Sequence, residues 1–385
     1  MKPRKIEVIG DFGLGSPNER VSLWFLLRLI WEQFGIWGYA QSNGIEKAQE
    51  AVVAYKRNRH GVVLDPCKNV RFSPKGTRII YPFLIQLILE QLKRTEVVMT
   101  LPFYPGHLKA VRWAGGKAVF LAALSAVTYV DRLEEKLRKG GFHPAAVIIC
   151  SIGNPYGYKC DLESFRRLVA LAHEFGFILI VDEAYAELSY DCIPAPSPFE
   201  VEGALPVTVA TMTGSKFLSA AAGGIGLSIG PERILQPLSE NMEFLSEGGN
   251  GLIQSAFAFA LPHIEPYVRN LAKLYDSRAH SYADLLYEAG LYEAKSGVGD
   301  GGMFLWVPTD DLSSNELADR AQSEGVIIRP GSMFLDTGDD QRPGNMNFLR
   351  FCLRERDQVA ARSFRALRPL ITTMRIEKCE NSLVY

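Results

Sequence analysis

The middle of the chain alternates short apolar runs with amphipathic stretches, a pattern that predicts β-strands separated by α-helices. One helix is clearly delimited, because Asp161 is a suitable N-cap, apolar residues recur on one face of residues 162–175, and Gly176 follows them. This alternation is typical of an α/β domain. The segments predicted as strands are residues 96–100, 118–121, 146–150, 178–181, 207–210 and 226–229.

The pattern changes after Pro262 and Pro266. Apolar residues recur at helical spacing over residues 268–289 and stop at Gly290, which predicts one long helix. The helix is followed by strand-like segments at residues 303–307, 326–328 and 348–353.

This change divides the chain into two predicted domains. The first, residues 37–264, is a large α/β domain. The second is a smaller α+β domain formed by residues 265–385 together with residues 1–36, which we expect to pack against it.

Composition narrows the class of protein. The 385 residues include 42 Lys and Arg against 43 Asp and Glu, and 47% are hydrophobic, which argues against disorder. A net charge of -1 provides no broad basic surface, so neither nucleic acid nor an anionic membrane is an expected partner. The longest apolar stretches are too short to span a bilayer, and the first residues do not resemble a signal peptide. We expect a soluble, cytoplasmic protein.

The cysteines and histidines indicate neither a disulfide framework nor a metal centre. The six cysteines include no C-x-x-C pair, and free thiols fit a reducing compartment. The six histidines form no H-E-x-x-H motif, so no metal is predicted.

Three segments carry candidate chemistry. Residues 177–185, FILIVDEAY, predict a buried parallel strand that delivers Asp182 to the carboxyl edge of a sheet, where ligands bind. Asn154 lies in CSIGNPYG, directly after another apolar strand, and Lys216 lies among small residues after a third. Taken singly, each has an ordinary alternative: Asp182 caps a turn, Asn154 belongs to a turn, and Lys216 is a solvated lysine.

The order strand-N-P-x-G, strand-D-x-A-Y, T-x-S-K resembles the fold type I pyridoxal-phosphate (PLP) enzymes, specifically the class I/II aminotransferases. The resemblance implies a three-layer α/β/α large domain with a mainly parallel sheet, PLP as cofactor, and amino transfer from an L-amino acid to a 2-oxo acid. Further segments similar to family motifs are residues 39–44 with 51–55, 102–105 (PFYP), 301–306 (GGMFLW), 325–331 (GVIIRPG) and 349–351 (LRF).

The resemblance implies roles at the cofactor ring. Lys216 would form the Schiff base and act as acid and base at the substrate Cα, with a pKa lowered by desolvation and the cationic cofactor. Asp182 would keep the ring nitrogen protonated. Asn154 and Tyr185 would hydrogen-bond the phenolic oxygen, and Tyr104 would stack on the ring.

The resemblance also implies a phosphate site at a helix N-terminus, because free N–H groups and the helix dipole favour an anion there. Its members would be the backbone of Gly76, Thr77 and Arg78, with hydroxyls from Thr213 and Ser215. Tyr39 resembles the tyrosine that reaches the phosphate of the partner subunit, which implies a homodimer with shared active sites. The alternative for Tyr39 is an ordinary core aromatic.

The substrate side involves Arg350, a charge in an apolar strand that is costly unless paired. By resemblance Arg350 and Asn154 bind substrate, with the arginine on the α-carboxylate in bidentate geometry. The loop at Gly15 would close over that group. The alternative for Arg350 is a surface-facing arginine on an edge strand.

One position departs from the family pattern. Gly224 stands where the family carries a phosphate-binding arginine, and Ala222 replaces the first glycine of that motif. Losing a charge-assisted hydrogen bond costs about 1.5–3 kcal/mol, and Lys75 or the Arg78 side chain is the expected substitute.

The departure leaves other hypotheses about the function open. A lyase, synthase or oxidase using PLP is one, and a degenerate scaffold without catalysis is another. A nucleotide-binding protein is disfavoured, because Gly223-Gly224-Ile225-Gly226 does not open a helix after a strand and no P-loop is present. Within the aminotransferases, GTR followed by PFYP resembles the aspartate-like and diaminopimelate-type branch.

Overall fold

The computed structural model describes residues 7–32, 43–73, 75–243, 245, 249–335, 337–338 and 347–382. The strands are β1 Gly10–Asp11, β2 Val70–Phe72, β3 Glu96–Leu101, β4 Lys117–Ala122, β5 Ala146–Cys150, β6 Ile178–Asp182, β7 Thr208–Met212, β8 Leu227–Ile229, β9 Phe304–Pro308, β10 Val326–Ile327, β11 Arg329–Pro330 and β12 Phe348–Cys352. The helices are α1 Leu23–Glu32, α2 Glu46–His60, α3 Pro66–Asn69, α4 Thr77–Leu92, α5 Pro105–Trp113, α6 Ala126–Arg138, α7 Leu162–Phe175, α8 Gly214–Phe217, α9 Glu232–Glu243, α10 Gly251–Ala260, α11 Glu265–Glu288, α12 Ser314–Ser323, α13 Ser332–Leu335 and α14 Asp357–Ser382.

Within the described residues the largest sheet has seven strands in the order β2-β8-β7-β6-β5-β3-β4. Strands β3 to β7 pair in parallel, and β8 runs antiparallel to both of its neighbours. The six strands predicted for this region are all present, and the mainly parallel α/β fold is confirmed. The antiparallel direction of β8 was not predicted, because a short apolar run does not carry its direction.

Helices cover both faces of this sheet. Along a strand successive side chains point to opposite faces, so Ile148 packs with α4, α5 and α9, whereas Val147 and Ile149 pack with α6 and α7. Two apolar cores therefore sandwich the sheet, which gives the three-layer α/β/α arrangement. Helix α7 has the predicted ends, because the Asp161 side chain accepts a hydrogen bond from the Ser164 N–H and Gly176 is left-handed, with φ of 67°.

The C-terminal part contains the predicted long helix, α11, and a three-stranded antiparallel sheet in the order β11-β12-β9. The strand predicted at residues 326–328 is β10, and the separate strand β11, which follows Ile328 and belongs to a different sheet, was not predicted. Strand β1 pairs in parallel with β10 of the C-terminal part, whereas α1 packs on α10, which lies in the predicted large domain. The domain boundaries stay predictions, and residue 37 lies outside the described residues. No described helix is long and apolar enough to cross a membrane.

Candidate active site

The predicted site residues meet at the carboxyl ends of the parallel strands. Strand β6 ends at Asp182, the loop after β5 carries Asn154, and helix α8 after β7 carries Lys216. Adjacent parallel strands place their carboxyl ends along one edge of the sheet, where the loops open into a crevice. The order of the motifs along the chain thus becomes an arrangement side by side in space.

Asp182 is buried and hydrogen-bonded on both oxygens. Its Oδ2 lies 3.0 Å from Nε2 of His107, and its Oδ1 accepts a hydrogen bond of 2.9 Å from the Ala184 N–H. Burial opposes ionisation, but the bonds from His107 and Tyr81 outweigh it and hold the pKa of Asp182 below its ordinary value. A buried carboxylate that stays ionised can keep a proton on a basic nitrogen placed against it.

His107 is a site residue that the sequence reasoning missed. It is buried in the first turn of α5, and its ring makes an edge contact with Tyr104, at 5.1 Å between centroids. The Tyr81 ring also makes an edge contact with His107, at 4.6 Å between centroids. The available signal was its spacing of three residues from Tyr104, which places both side chains on the same side of the helix start.

The Lys216 side chain is hydrogen-bonded to the N-terminal segment of the chain. Its Nζ donates a hydrogen bond to the Gly15 carbonyl and lies 6.0 Å from the centroid of the Tyr185 ring. Burial lowers the pKa of Lys216, and the charges of Arg350 and Arg78 add to the effect. The amine is therefore closer to neutrality near pH 7 than a solvated lysine.

Arg350 is buried without a carboxylate partner among the described residues. Its Nη1 donates to Oδ1 of Asn154 at 3.2 Å, and its Nη2 donates to the Gly13 carbonyl at 3.0 Å. Its Nε has no hydrogen-bond partner within the part of the chain that is described. The surface-arginine alternative is wrong, since a buried guanidinium with only neutral partners is costly and is suited to an external anion.

Aromatic side chains line the space around this arginine. The guanidinium carbon lies 4.2 Å from the Phe304 ring centroid and 4.7 Å from that of Phe334. Tyr185 packs edge-on against Phe304 at 5.5 Å, and burial keeps the pKa of its hydroxyl well above the ordinary value. A neutral Tyr185 hydroxyl is able to donate a hydrogen bond at neutral pH.

The glycine-rich segments form a close backbone contact at the start of α4. Gly76 precedes the helix with φ of 77°, and a side chain on Gly226 would clash with the backbone of Gly76 and Thr77. Gly224 is left-handed, with φ of 60°, so an arginine there would be strained in this backbone.

The other residues predicted to bind the phosphate lie in different surroundings. The Thr213 hydroxyl donates to the Ile225 carbonyl and accepts from the Ser215 hydroxyl at 3.0 Å, so it ties the start of α8 to the segment before Gly226. The side chains of Lys75, which precedes α4, and of Arg78, in the first turn of α4, are exposed. Tyr39 lies outside the described residues. The predicted site residues that follow the strand ends at this edge of the sheet, or bond to residues that do, are Gly15, Gly76, Thr77, Arg78, Tyr104, Asn154, Asp182, Tyr185, Thr213, Ser215, Lys216 and Arg350.

The donor set fits the cofactor that the motifs imply. A buried carboxylate whose pKa is lowered lies at Asp182, an amine of lowered pKa lies at Lys216, and free N–H groups start α4 beside Gly226. The family model for aminotransferase class I and II matches residues 32–362. The chain belongs to the class I and II aminotransferases.

As a family member, the chain is a PLP-dependent aminotransferase. It is 28% identical over 94% of its length to the glutamate-pyruvate aminotransferase AlaC of Escherichia coli (strain K12), covering 88% of that protein. It is 25% identical over 78% of its length to the LL-diaminopimelate aminotransferase of Maridesulfovibrio salexigens, covering 77% of that protein.

Solved structures show the same fold. An aspartate aminotransferase mutant from Thermus thermophilus superposes with a TM-score of 0.81 at 20% identity, covering 95% of this chain and 92% of that one. N-succinyldiaminopimelate aminotransferase from Mycobacterium tuberculosis superposes with a TM-score of 0.80 at 23% identity, covering 94% and 93%. The three-layer architecture of this aminotransferase is thus shared with structures of low sequence identity.

Proposed function

We propose that this aminotransferase moves the amino group of an L-amino acid to a 2-oxo acid, with the α-carboxylate of both substrates held by Arg350. One observation carries the proposal: the Lys216 amine and the Arg350 guanidinium, which has no carboxylate partner among the described residues, donate to the same loop, at Gly15 and Gly13 respectively. An acid bound through its α-carboxylate at Arg350 would therefore present its Cα to Lys216.

The chain's own groups divide the chemistry among them. PLP, when bound, supplies an electron sink for the pair of electrons left at the substrate Cα when its proton departs. Lys216 Nζ takes that proton and returns it, a task for which its lowered pKa is suited. Asp182, oriented by His107, would hold a proton on the ring nitrogen of the cofactor. Asn154 and Tyr185 would hydrogen-bond its phenolic oxygen, and Tyr104 would stack on its ring.

We propose that the phosphate lies at the start of α4, on the N–H groups of Gly76, Thr77 and Arg78, with Thr213 and Ser215 beside it. The charge that the family draws from an arginine at position 224 would come from Arg78 or Lys75. Two observations support this: the Arg78 charge contributes to lowering the pKa of Lys216, and the Lys75 side chain borders Gly224.

The amino-transfer proposal is tested with the PLP-loaded protein and a panel of L-amino acids, each paired with 2-oxoglutarate, pyruvate or oxaloacetate. We expect one new amino acid to form for each oxo acid consumed. Release of ammonia, or consumption of the amino acid without any oxo acid turnover, would instead support the lyase or oxidase alternative. The protein incubated without PLP is the control.

We propose further that the protein is a cytoplasmic homodimer whose interface includes α1. Helix α1 packs on α10 through Phe25, yet most of its large apolar side chains face outward. Six such side chains on one ten-residue helix exceed the scattered exposure that is normal on a monomer surface. They are Leu23, Trp24, Leu26, Leu27, Ile30 and Trp31.

Trp31→Glu is expected to weaken dimerisation by at least about 100-fold, because a two-fold interface buries the new charge twice. Sedimentation velocity against the subunit mass of 42.8 kDa measures the change. Val127→Glu, which places the same charge on an exposed apolar residue of α6, is the matched control and should leave the dimer intact. A wild-type protein that is monomeric and fully active would contradict the proposal.

A further inference from the structure

Two arginines lie directly opposite each other at the substrate side of the site. In the antiparallel ladder between β11 and β12, Arg329 is the register partner of Arg350. Directly opposite residues project to the same face of a sheet, with Cα atoms about 4.5–5.5 Å apart. Both side chains also reach one acceptor, since Arg329 Nε and Arg350 Nη2 lie 3.4 Å and 3.0 Å from the Gly13 carbonyl oxygen.

This pair lacks a counterion among the described residues. Neither arginine forms an ion pair with a described carboxylate. Asp11, on the same N-terminal segment, directs its Oδ1 to the backbone N–H groups of Gly13 and Leu14, at 2.9 Å and 3.2 Å. Like charges directly opposite on adjacent strands destabilise a sheet, so two facing guanidiniums indicate a place for external negative charge.

The presence of two guanidiniums indicates how many anionic groups the ligand carries. One α-carboxylate on Arg350 neutralises one of the two guanidiniums and leaves the other facing it. A second anionic group on the same substrate would neutralise both, and an arginine fork matches a carboxylate in geometry as well as in charge.

We propose that Arg329 binds the side-chain carboxylate of a dicarboxylic amino acid or dicarboxylic 2-oxo acid and so determines substrate specificity. The inference rests on the proposed function, because it takes Arg350 as the site of the α-carboxylate. It adds a recognition residue that lies on β11, the strand next to that of Arg350.

The kinetic test compares substrates that differ only in the second carboxylate. For Arg329→Gln we expect kcat/KM to fall by about 10- to 100-fold with L-glutamate and 2-oxoglutarate, and by less than about threefold with L-alanine and pyruvate. Arg329→Lys keeps the charge but loses the bidentate guanidinium, so its kcat/KM with L-glutamate and 2-oxoglutarate should lie between those of the wild type and Arg329→Gln. Arg138→Gln, on the exposed face of α6, is the control for loss of an arginine.

A binding measurement separates this inference from the proposed reaction. In PLP-loaded Lys216→Ala protein, calorimetry with glutarate and butyrate should show that Arg329→Gln weakens glutarate at least about tenfold and leaves butyrate unchanged. Equal weakening of both acids would mean that the two arginines share one carboxylate, and would overturn the proposal. So would no change in either. If no amino acid is turned over while the glutarate difference stands, the proposed function fails and the dicarboxylate site remains.

Discussion

Lys216→Ala is expected to reduce amino transfer by at least about 10⁴-fold and to remove the visible absorbance band that PLP gives with the wild-type protein. Two losses combine in this variant. The amine that joins the cofactor is gone, and so is the group that takes and returns the proton at the substrate Cα. The Gly15 carbonyl also loses the hydrogen bond from Lys216 Nζ.

The measurement is the absorbance of each protein during PLP titration, together with the rate on the productive amino acid. Lys139→Ala removes an exposed lysine paired with Glu135 and should behave as wild type. Addition of a small primary amine should restore part of the proton-transfer rate in Lys216→Ala, since it supplies the missing base. An undiminished band and rate in the variant would sink the assignment of this lysine.

Asp182→Asn is expected to reduce amino transfer by about 100- to 1000-fold, the range found when one aimed electrostatic group is removed from an active site. Asparagine keeps the size of the side chain and removes the charge that favours a proton on the ring nitrogen. Because the hydrogen bonds from His107 and Tyr81 hold the pKa of Asp182 down, the wild-type carboxylate is ionised throughout the neutral range.

The activity of Asp182→Asn should be followed with its Tm and with the absorbance of bound PLP, so that loss of folding or of cofactor is detected. His107→Asn is the companion variant: it leaves the carboxylate in place but removes the ring that donates at 3.0 Å. We expect a loss of about three- to tenfold there, from weaker positioning of the charge. An Asp182→Asn protein that holds PLP and works at the wild-type rate would rule out this role for the carboxylate.

Much of the fold follows from local patterns. The apolar runs at β5 and β6 are continuous because both faces of those strands are covered, and the ends of α7 follow from the side chain of Asp161 and the conformational freedom of Gly176. The candidate site could be predicted from the sequence for a similar reason. Asp182 and Lys216 lie just after strands that end at one edge of a parallel sheet, so their order along the chain predicts their proximity.

Contacts between segments distant in the sequence could not be predicted from local patterns, because they depend on strand register and on loops that cross the sheet edge. Lys216 and Gly15 meet across 201 positions of sequence, and His107 reaches Asp182 across 75. The pairing of Arg329 with Arg350 depends on the register of β11 on β12, and a shift of one residue would send the two side chains to opposite faces. The sequence by itself determined the family, the fold class and the residue types of the site. The tertiary structure alone decided which charges face each other, because Coulomb energy depends on distance through space rather than along the chain.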